Sequence, residues 1–278
     1  MNADSAFVIG ATHSVCQAYI VAGNSSNPSA AAPYVILSDG CSSSTDTDIG
    51  ARLLVKSAEL VLKGESAKDI RDVHRRTAMD ALRLAALFEL TPQSVDATLL
   101  TAHLQENELV IACSGDGVVM VEDWSGVIEA YSISYLSGYP RYPTYTHQPD
   151  RLAALELLGD PRKEIKYFRG DRNQSVLRLE NTFRSDVRTE VFTFNARSYQ
   201  YAVLLSDGVH SFRSTRDLES SKSACPISFQ SIARELVSFK NVRGAFVGRR
   251  LKRFLKHCRE NGWQHADDLA LGAIYLGE

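Results

Sequence analysis

Two segments far apart in the chain repeat one pattern. Tyr34-Val-Ile-Leu-Ser-Asp-Gly40 and Tyr201-Ala-Val-Leu-Leu-Ser-Asp-Gly208 are each an apolar run of strand length ending in Ser-Asp-Gly. A strand apolar on both faces lies between other layers. Its terminal aspartate then sits near the core's edge, where an unpaired carboxylate is costly. Two such aspartates, Asp39 and Asp207, meeting at one place would repel unless a cation lay between them. The glycines that follow, Gly40 and Gly208, let the backbone turn sharply and bring a carbonyl close to that cation. Hard oxygen donors of this kind select Mg²⁺ or Mn²⁺. Asp-Gly is also a common turn pair, and either copy alone reads as a plain turn. Asp267, before the last apolar run, and Asp116, between two strands, bring the strand-end aspartates to four, more than turns readily explain.

The remaining composition narrows the class. The chain has 278 residues, 44% apolar and 23% charged, which fits a globular protein with a substantial core. No linker divides it, so one domain over residues 1–278 is expected. Lys plus Arg number 31 against 33 Asp plus Glu, a net charge of −2. That balance argues against a nucleic-acid binder, which needs excess positive charge. The N-terminus lacks the basic start and apolar core of a signal peptide, and no 18-residue apolar stretch occurs, so no membrane insertion is expected. The five cysteines are widely spaced with no Cys-x-x-Cys pair. A reducing, cytoplasmic location is the simple expectation.

Periodicity predicts strands at 6–12, 15–22 and 33–37, with a loop over 23–32. Helices are predicted over 47–62, stopped by Gly64, and from Ser66 to about Phe88. The period then changes to short β-rich segments at 97–104, 108–114, 117–122 and 126–134, a meander of hairpins. The Tyr- and Pro-rich stretch 135–150 reads as a surface loop or flap. A short helix at 151–158 and strands at 175–179, 188–194 and 201–205 follow. Residues 213–226 read as a polar loop, 228–239 and 245–260 as helices, and 269–276 as the last strand. The basic residues between Lys240 and Arg259 read as the solvated face of a packed helix. Strands and helices in separate blocks indicate an α+β protein.

Several motifs stand in one order along the chain. They are Gly10-Ala-Thr-His13 with Cys16-Gln17; Asp39-Gly40 with Asp48-Ile49-Gly50-Ala51; Asp96-Ala97-Thr98 followed by Gly115-Asp116-Gly117; Ser206-Asp207-Gly208-Val209; and Asp267-Asp268-Leu269. The ordered set resembles the metal-dependent protein phosphatases of the 2C type, especially their divergent bacterial branch. The resemblance implies a central β-sandwich of two antiparallel sheets flanked by pairs of α-helices. It implies that Asp39 bridges two Mn²⁺ or Mg²⁺ ions and that the Gly40 carbonyl binds one of them. Asp207 and Asp267 would hold the other ion, and Asp116 a third ion found in some members. The implied reaction is hydrolysis of phosphoserine or phosphothreonine in a protein substrate by metal-activated water.

The chain departs from the family pattern at two places. Gln17 is followed by Ala18 where members usually carry an acidic pair or a Gln-Asp, and loss of such an outer carboxylate costs about 10–100-fold in metal affinity or activity. With no arginine at the usual phosphate-binding place, His13 is the nearest candidate for that catalytic role. Asp268 stands where Asn is usual, either replacing the lost carboxylate in part or facing water. An alternative reading is therefore a catalytically weak or inactive phosphatase-like domain that binds a phosphoprotein or regulatory partner.

Overall fold

The computed structural model describes residues 1–24, 32–64, 69–171, 178–184, 189–215 and 225–277. Strands and helices are numbered in chain order. One sheet has seven strands, in the order β1 (Asn2–Val8), β15 (Leu269–Tyr275), β11 (Tyr199–Leu205), β6 (Gly117–Asp123), β7 (Val127–Tyr135), β8 (Lys163–Asp171) and β9 (Arg178–Arg184). A second sheet orders β10 (Thr189–Asn195), β5 (Glu108–Ser114), β4 (Leu99–Gln105), β3 (Pro33–Asp39) and β2 (Ala18–Asn24). Each of these neighbouring pairs is antiparallel. A small third sheet joins β13 (Cys225–Pro226), β12 (Phe212–Ser214) and β14 (Trp263–His265).

The two large sheets pack face to face, and strand alternation sorts their side chains. Val35 and Leu37 of β3, with Leu100 and Ala102 of β4, meet Ala202 and Leu204 of β11 and Ala270 and Ile274 of β15 in the inner core. The alternate residues point outward. Tyr34, Ile36 and Leu99 pack under the helix α1 (Thr47–Lys63). Tyr201, Val203, Leu205, Leu269 and Leu271 pack under α4 (Phe229–Leu236) and α5 (Phe246–Asn261). Burial on both faces explains why these strands read as continuous apolar runs. Each fully buried aliphatic side chain contributes roughly 1.5–3 kcal/mol. The helix α2 (Ile70–Leu87) lies beside α1 and completes the layer over the second sheet. This is the α+β sandwich flanked by helix pairs that the sequence led us to expect.

Helix starts and stops follow local chemistry. Asp69 accepts the Arg71 N–H as the N-cap of α2, so that helix begins at Ile70; Ser66, the expected start, lies outside the described residues. Asp4 of β1 accepts the Val247 N–H at 2.6 Å and the Gly248 N–H at 3.2 Å, capping α5 from a strand across the layer. Phe246, Leu251, Phe254 and Cys258 bury one face of α5. Arg249, Lys252, Arg253, Lys256 and Arg259 are exposed, as the solvated-face reading predicts. No helix among the described residues is long and apolar enough to cross a membrane.

Some elements differ from expectation. The opening strand is Asn2–Val8, not 6–12, because its partner β15 pairs from Asn2 opposite Tyr275 to Val8 opposite Leu269. Strand β8 was not anticipated, and β9 begins at Arg178. Most of the expected 23–32 and 213–226 loops, and residues 175–177 of the expected 175–179 strand, lie outside the described residues. The 135–150 stretch is not a free flap. Tyr135, Tyr142 and Tyr145 are buried, and Pro143–His147 form a 3₁₀ turn leading into α3 (Pro149–Glu156). Tyrosines carry large apolar bodies, and packing Tyr145 against Leu152 and Tyr142 buries them.

Inside the second helix layer, His74 is fully enclosed. Its Nδ1 lies 2.8 Å from Ser114 Oγ and its Nε2 2.9 Å from Thr101 Oγ1. Burial, reinforced by nearby His103, lowers its pKa to about 3. A depressed folded-state value means that the unfolded chain takes up the proton first. Stability from this group is therefore complete above pH ~6.5 and lost as pH falls toward the folded value. Replacing His74→Gln is expected to reduce the loss of unfolding free energy between pH 7 and pH 5 by about 2 kcal/mol, measured by urea denaturation. An unchanged pH dependence contradicts this placement.

Candidate metal centre and active-site cleft

Asp39 continues the inward row of β3 after Val35 and Leu37 and ends it at the rim of the sandwich. The end of β3 is pinned to the next strand. The Asp39 N–H donates to Thr98 Oγ1 at 3.0 Å, the Thr98 N–H donates to Asp39 O at 2.8 Å, and Ser38 Oγ donates to Thr98 O at 2.6 Å. Asp207 opens a 3₁₀ turn directly after β11. Asp116 sits in the β5–β6 turn between Gly115 and Gly117, both with positive φ. Asp267 precedes β15, with its N–H on Ser211 Oγ at 3.2 Å.

Asp39, Gly40, Asp116, Asp207 and Asp267 all line one cleft of ≈ 180 Å³. Every metal-binding candidate read from the sequence is thus at one place. His13 is not in the lining but stands beside it, with Nε2 3.6 Å from Asp267 Oδ1 and 3.4 Å from Ser42 Oγ. Thr98, from the Asp96-Ala97-Thr98 motif, and Cys41 and Ser42, which follow Asp39-Gly40, share the cleft wall, as do Pro140 and Tyr142, which no motif marks.

The carboxylates disturb one another. Burial, then the charges of Asp207, Asp267 and Asp116, push the Asp39 carboxyl well above the usual carboxylate range. Burial and Asp207 do the same to Asp116. Asp207 is raised to about 6, by burial first and Asp267 second, with partial relief from Asp39 and local backbone N–H groups. Asp39 Oδ2 is buried and has no hydrogen-bond partner among the described residues. Buried polar atoms are seldom left so. Among those residues no three His, Cys, Asp or Glu side chains already stand at metal-ligand spacing. The fit to a hard divalent cation therefore rests on the all-oxygen donor set and the orphaned Asp39 oxygen, not on a preformed shell.

The two glycines of the Asp-Gly pairs serve a purpose other than a turn. Neither has a positive φ. A Cβ on Gly40 would lie 2.8 Å from Thr47 atoms, and one on Gly208 only 2.0 Å from Asp268 O. Close approach, not turn conformation, requires glycine here.

Asp268 is fully buried and does not face water. It falls in register with the inward residues Ala270 and Ile274, a signal legible in the alternation. Its Oδ1 accepts the Gly10 N–H at 2.7 Å, and its Oδ2 accepts the Gln17 N–H at 2.5 Å and lies 3.0 Å from His13 Nδ1. Burial alone would raise its pKa, but Gly10, His13 and Gln17 together bring it below the usual value. Gln17 passes the link onward: its Nε2 donates to Thr47 Oγ1 at 2.9 Å, and its carbonyl accepts the Gly40 N–H at 3.2 Å. Ala18 pairs in register with Asp39.

A second brace holds the other wall. Arg151 of α3 binds Asp96 with N···O distances of 2.9 and 2.5 Å and lies over the Tyr145 ring. Ser44 Oγ donates to the same carboxylate, and the Cys41 N–H donates to Asp96 O at 2.8 Å.

Comparison with known proteins agrees with this architecture. Residues 11–256 match the family described as Protein phosphatase 2C, and the chain belongs to that family. No curated protein sequence matches the chain. Among solved structures, it is similar to the serine/threonine phosphatase Stp1 from Staphylococcus aureus, with 14% identity, 100% of this chain and 96% of that one covered, and a TM-score of 0.57. It is also similar to the S. agalactiae serine/threonine phosphatase, with 12% identity, 99% of each chain covered and a TM-score of 0.53. At such identities the likeness establishes a shared fold.

Asp268→Ala removes the acceptor from the Gly10 and Gln17 N–H groups and the carboxylate that lies 3.0 Å from His13 Nδ1. It is expected to lower unfolding free energy by about 3 kcal/mol in urea denaturation, because unsatisfied buried donors cost roughly 1–3 kcal/mol each. Asp268→Asn, which keeps an acceptor oxygen, is expected to lose less. Wild-type stability in the alanine variant contradicts the anchoring role.

Proposed function

We propose that this chain is a Mn²⁺- or Mg²⁺-dependent phosphatase of phosphoserine and phosphothreonine in proteins, acting as one domain over residues 1–278. The observation that carries the reading is the single cleft shared by Asp39, Asp116, Asp207 and Asp267, with one buried Asp39 oxygen left without a partner. Asp39 and the Gly40 carbonyl would hold a first ion, Asp39, Asp207 and Asp267 a second, and Asp116 a weaker third. Bound ions would supply a water acidic enough to ionise near neutral pH and positive charge to offset the phosphoryl oxygens.

The chain's own residues then have distinct tasks. The aspartates act as ligands, and none needs to become covalently phosphorylated. Asp268 lies 3.0 Å from His13 Nδ1, and His13 Nε2 lies on the Asp267–Ser42 side of the cleft, where it would serve as a hydrogen-bonding group for a phosphoryl oxygen. Gln17, through Thr47 and Gly40, ties the opening segment to the Asp39 end of β3.

Hydrolysis of p-nitrophenyl phosphate and of a phosphoserine peptide is expected only with Mn²⁺ or Mg²⁺ present. Asp39→Asn and Asp207→Asn are each expected to lower kcat/KM more than about 100-fold, since even outer partners of metal ligands are worth 10–100-fold. Circular dichroism checks that both variants fold. Absence of metal-dependent turnover, or full activity in a folded Asp39→Asn, overturns the reading. Phosphopeptide binding without turnover would instead make the chain a phosphoprotein-binding member of its family.

A further inference from the structure

Behind one wall of the aspartate cleft lies a second cavity of ≈ 470 Å³ with the opposite charge. A hydrogen-bonded polar cluster lies in its mostly apolar lining. Ser114 Oγ lies 2.8 Å from His74 Nδ1 and 2.9 Å from Thr189 Oγ1, and all three residues line the cavity. Its rim carries Arg71 and Arg75, four residues apart and so on one face of α2. A third arginine, Arg141, lines it with a side chain only 10% exposed. The Arg141 Nε is buried with no partner among the described residues.

Carboxylates cancel only part of this charge. Arg141 pairs with Glu156 at 3.3 Å and Arg75 with Asp72 at 2.5 Å. The Arg71 guanidinium has no carboxylate partner among the described residues. Three guanidinium groups thus face two acids. Arginine forks bind carboxylate and phosphate oxygens through paired hydrogen bonds. Tyr142, Tyr145 and Leu152 supply apolar wall for the carbon body of a side chain. The volume exceeds that of a bare anion, which suits an anion carried on a side chain.

The two cavities are neighbours on either side of one wall. Tyr142 lines both. Pro140 lines the aspartate cleft while the next residue, Arg141, lines the second cavity, and Ser114 and Asp116 divide in the same way. Successive Cα atoms are about 3.8 Å apart, so a few residues of extended peptide span from one to the other.

We propose that this arginine cavity binds a second anionic side chain of the protein substrate, a few residues from the phosphorylated one. The inference rests on the phosphatase reading for its purpose but not for its measurement. The cleft takes the phosphoryl group that is removed, and the arginines take a neighbouring charge that stays. That division selects acidic or multiply phosphorylated sequences.

The test uses the full chain and phosphoserine peptides carrying a second anion at each position within about four residues, the reach of ~14 Å of extended chain. One set carries glutamate, the other a second phosphoserine, which separates carboxylate from phosphate as the preferred form. Binding is read by fluorescence anisotropy in EDTA, independent of turnover, and kcat/KM is read with Mn²⁺. At the favoured position the second anion is expected to improve binding about 10-fold, the equivalent of 1.4 kcal/mol. The Arg71→Ala/Arg75→Ala variant, altered at exposed side chains, is expected to bring that ratio close to one. Arg249→Ala/Arg253→Ala on α5 controls for bulk charge and is expected to keep the ratio. Equal binding of all peptides, or a ratio that survives loss of Arg71 and Arg75, overturns the proposal. A binding preference without turnover supports the cavity and counts against the phosphatase reading alone.

Discussion

Four carboxylates gathered at one rim of a core repel one another, and the rest of the structure holds them there against that repulsion. Asp39, Asp116 and Asp207 all have carboxyls raised above the ordinary range, by burial first and by one another second. Left to relax, such groups would move apart or into water. They do neither because each is fixed to rigid backbone: a strand end locked to Thr98, a two-glycine turn between paired strands, and a 3₁₀ turn after β11. A site that destabilises its own fold in this way is characteristic of function.

That rigidity comes from the layers. Central strands buried on both faces cannot shift by one residue without moving an apolar row to the wrong side. The register that fills the inner core with Val35, Leu37, Ala202 and Leu204 therefore also fixes where β3 and β11 end. Asp268 extends the same logic to the N-terminal segment. One buried carboxylate gathers Gly10, Gln17 and His13, and Gln17 relays that contact to Thr47 and Gly40. A carboxylate in the place of Ala18 would stand in register with Asp39. The Asp96–Arg151 brace does comparable work on the far wall, and it converts a Tyr-rich stretch into a packed boundary between two cavities of opposite charge.

Much of this was legible in the sequence, for physical reasons. The doubly apolar strands and their Ser-Asp-Gly ends announce central strands with aspartates at the rim. The 3.6-residue apolar stripes of α1, α2 and α5 announce helices packed on one face. Strand β8, Lys-Glu-Ile-Lys-Tyr-Phe-Arg-Gly-Asp, was not legible because its charged residues lie near the sheet edge and break the alternation. Pro and Gly mark the 135–150 segment as a loop, which holds for 136–142, while burial of Tyr135, Tyr142 and Tyr145 is a tertiary effect with no local signal. The arginine cavity was invisible for a similar reason: Arg71, Arg75 and Arg141 are ordinary surface-type residues until α2 and the 3₁₀ turn bring them around Ser114 and Thr189.

On the proposed function, the aspartates are held together for a cation. Thermal unfolding of wild type and Asp39→Asn, each in EDTA and in saturating Mn²⁺, tests it most directly. In EDTA the variant is expected to melt above wild type, because one carboxyl of a buried, mutually repelling cluster has gone. With Mn²⁺ the order is expected to reverse, since a ligand at about 100 times its Kd stabilises the protein that binds it by ~2.7 kcal/mol. A wild-type melting temperature that Mn²⁺ leaves unchanged would contradict the claim.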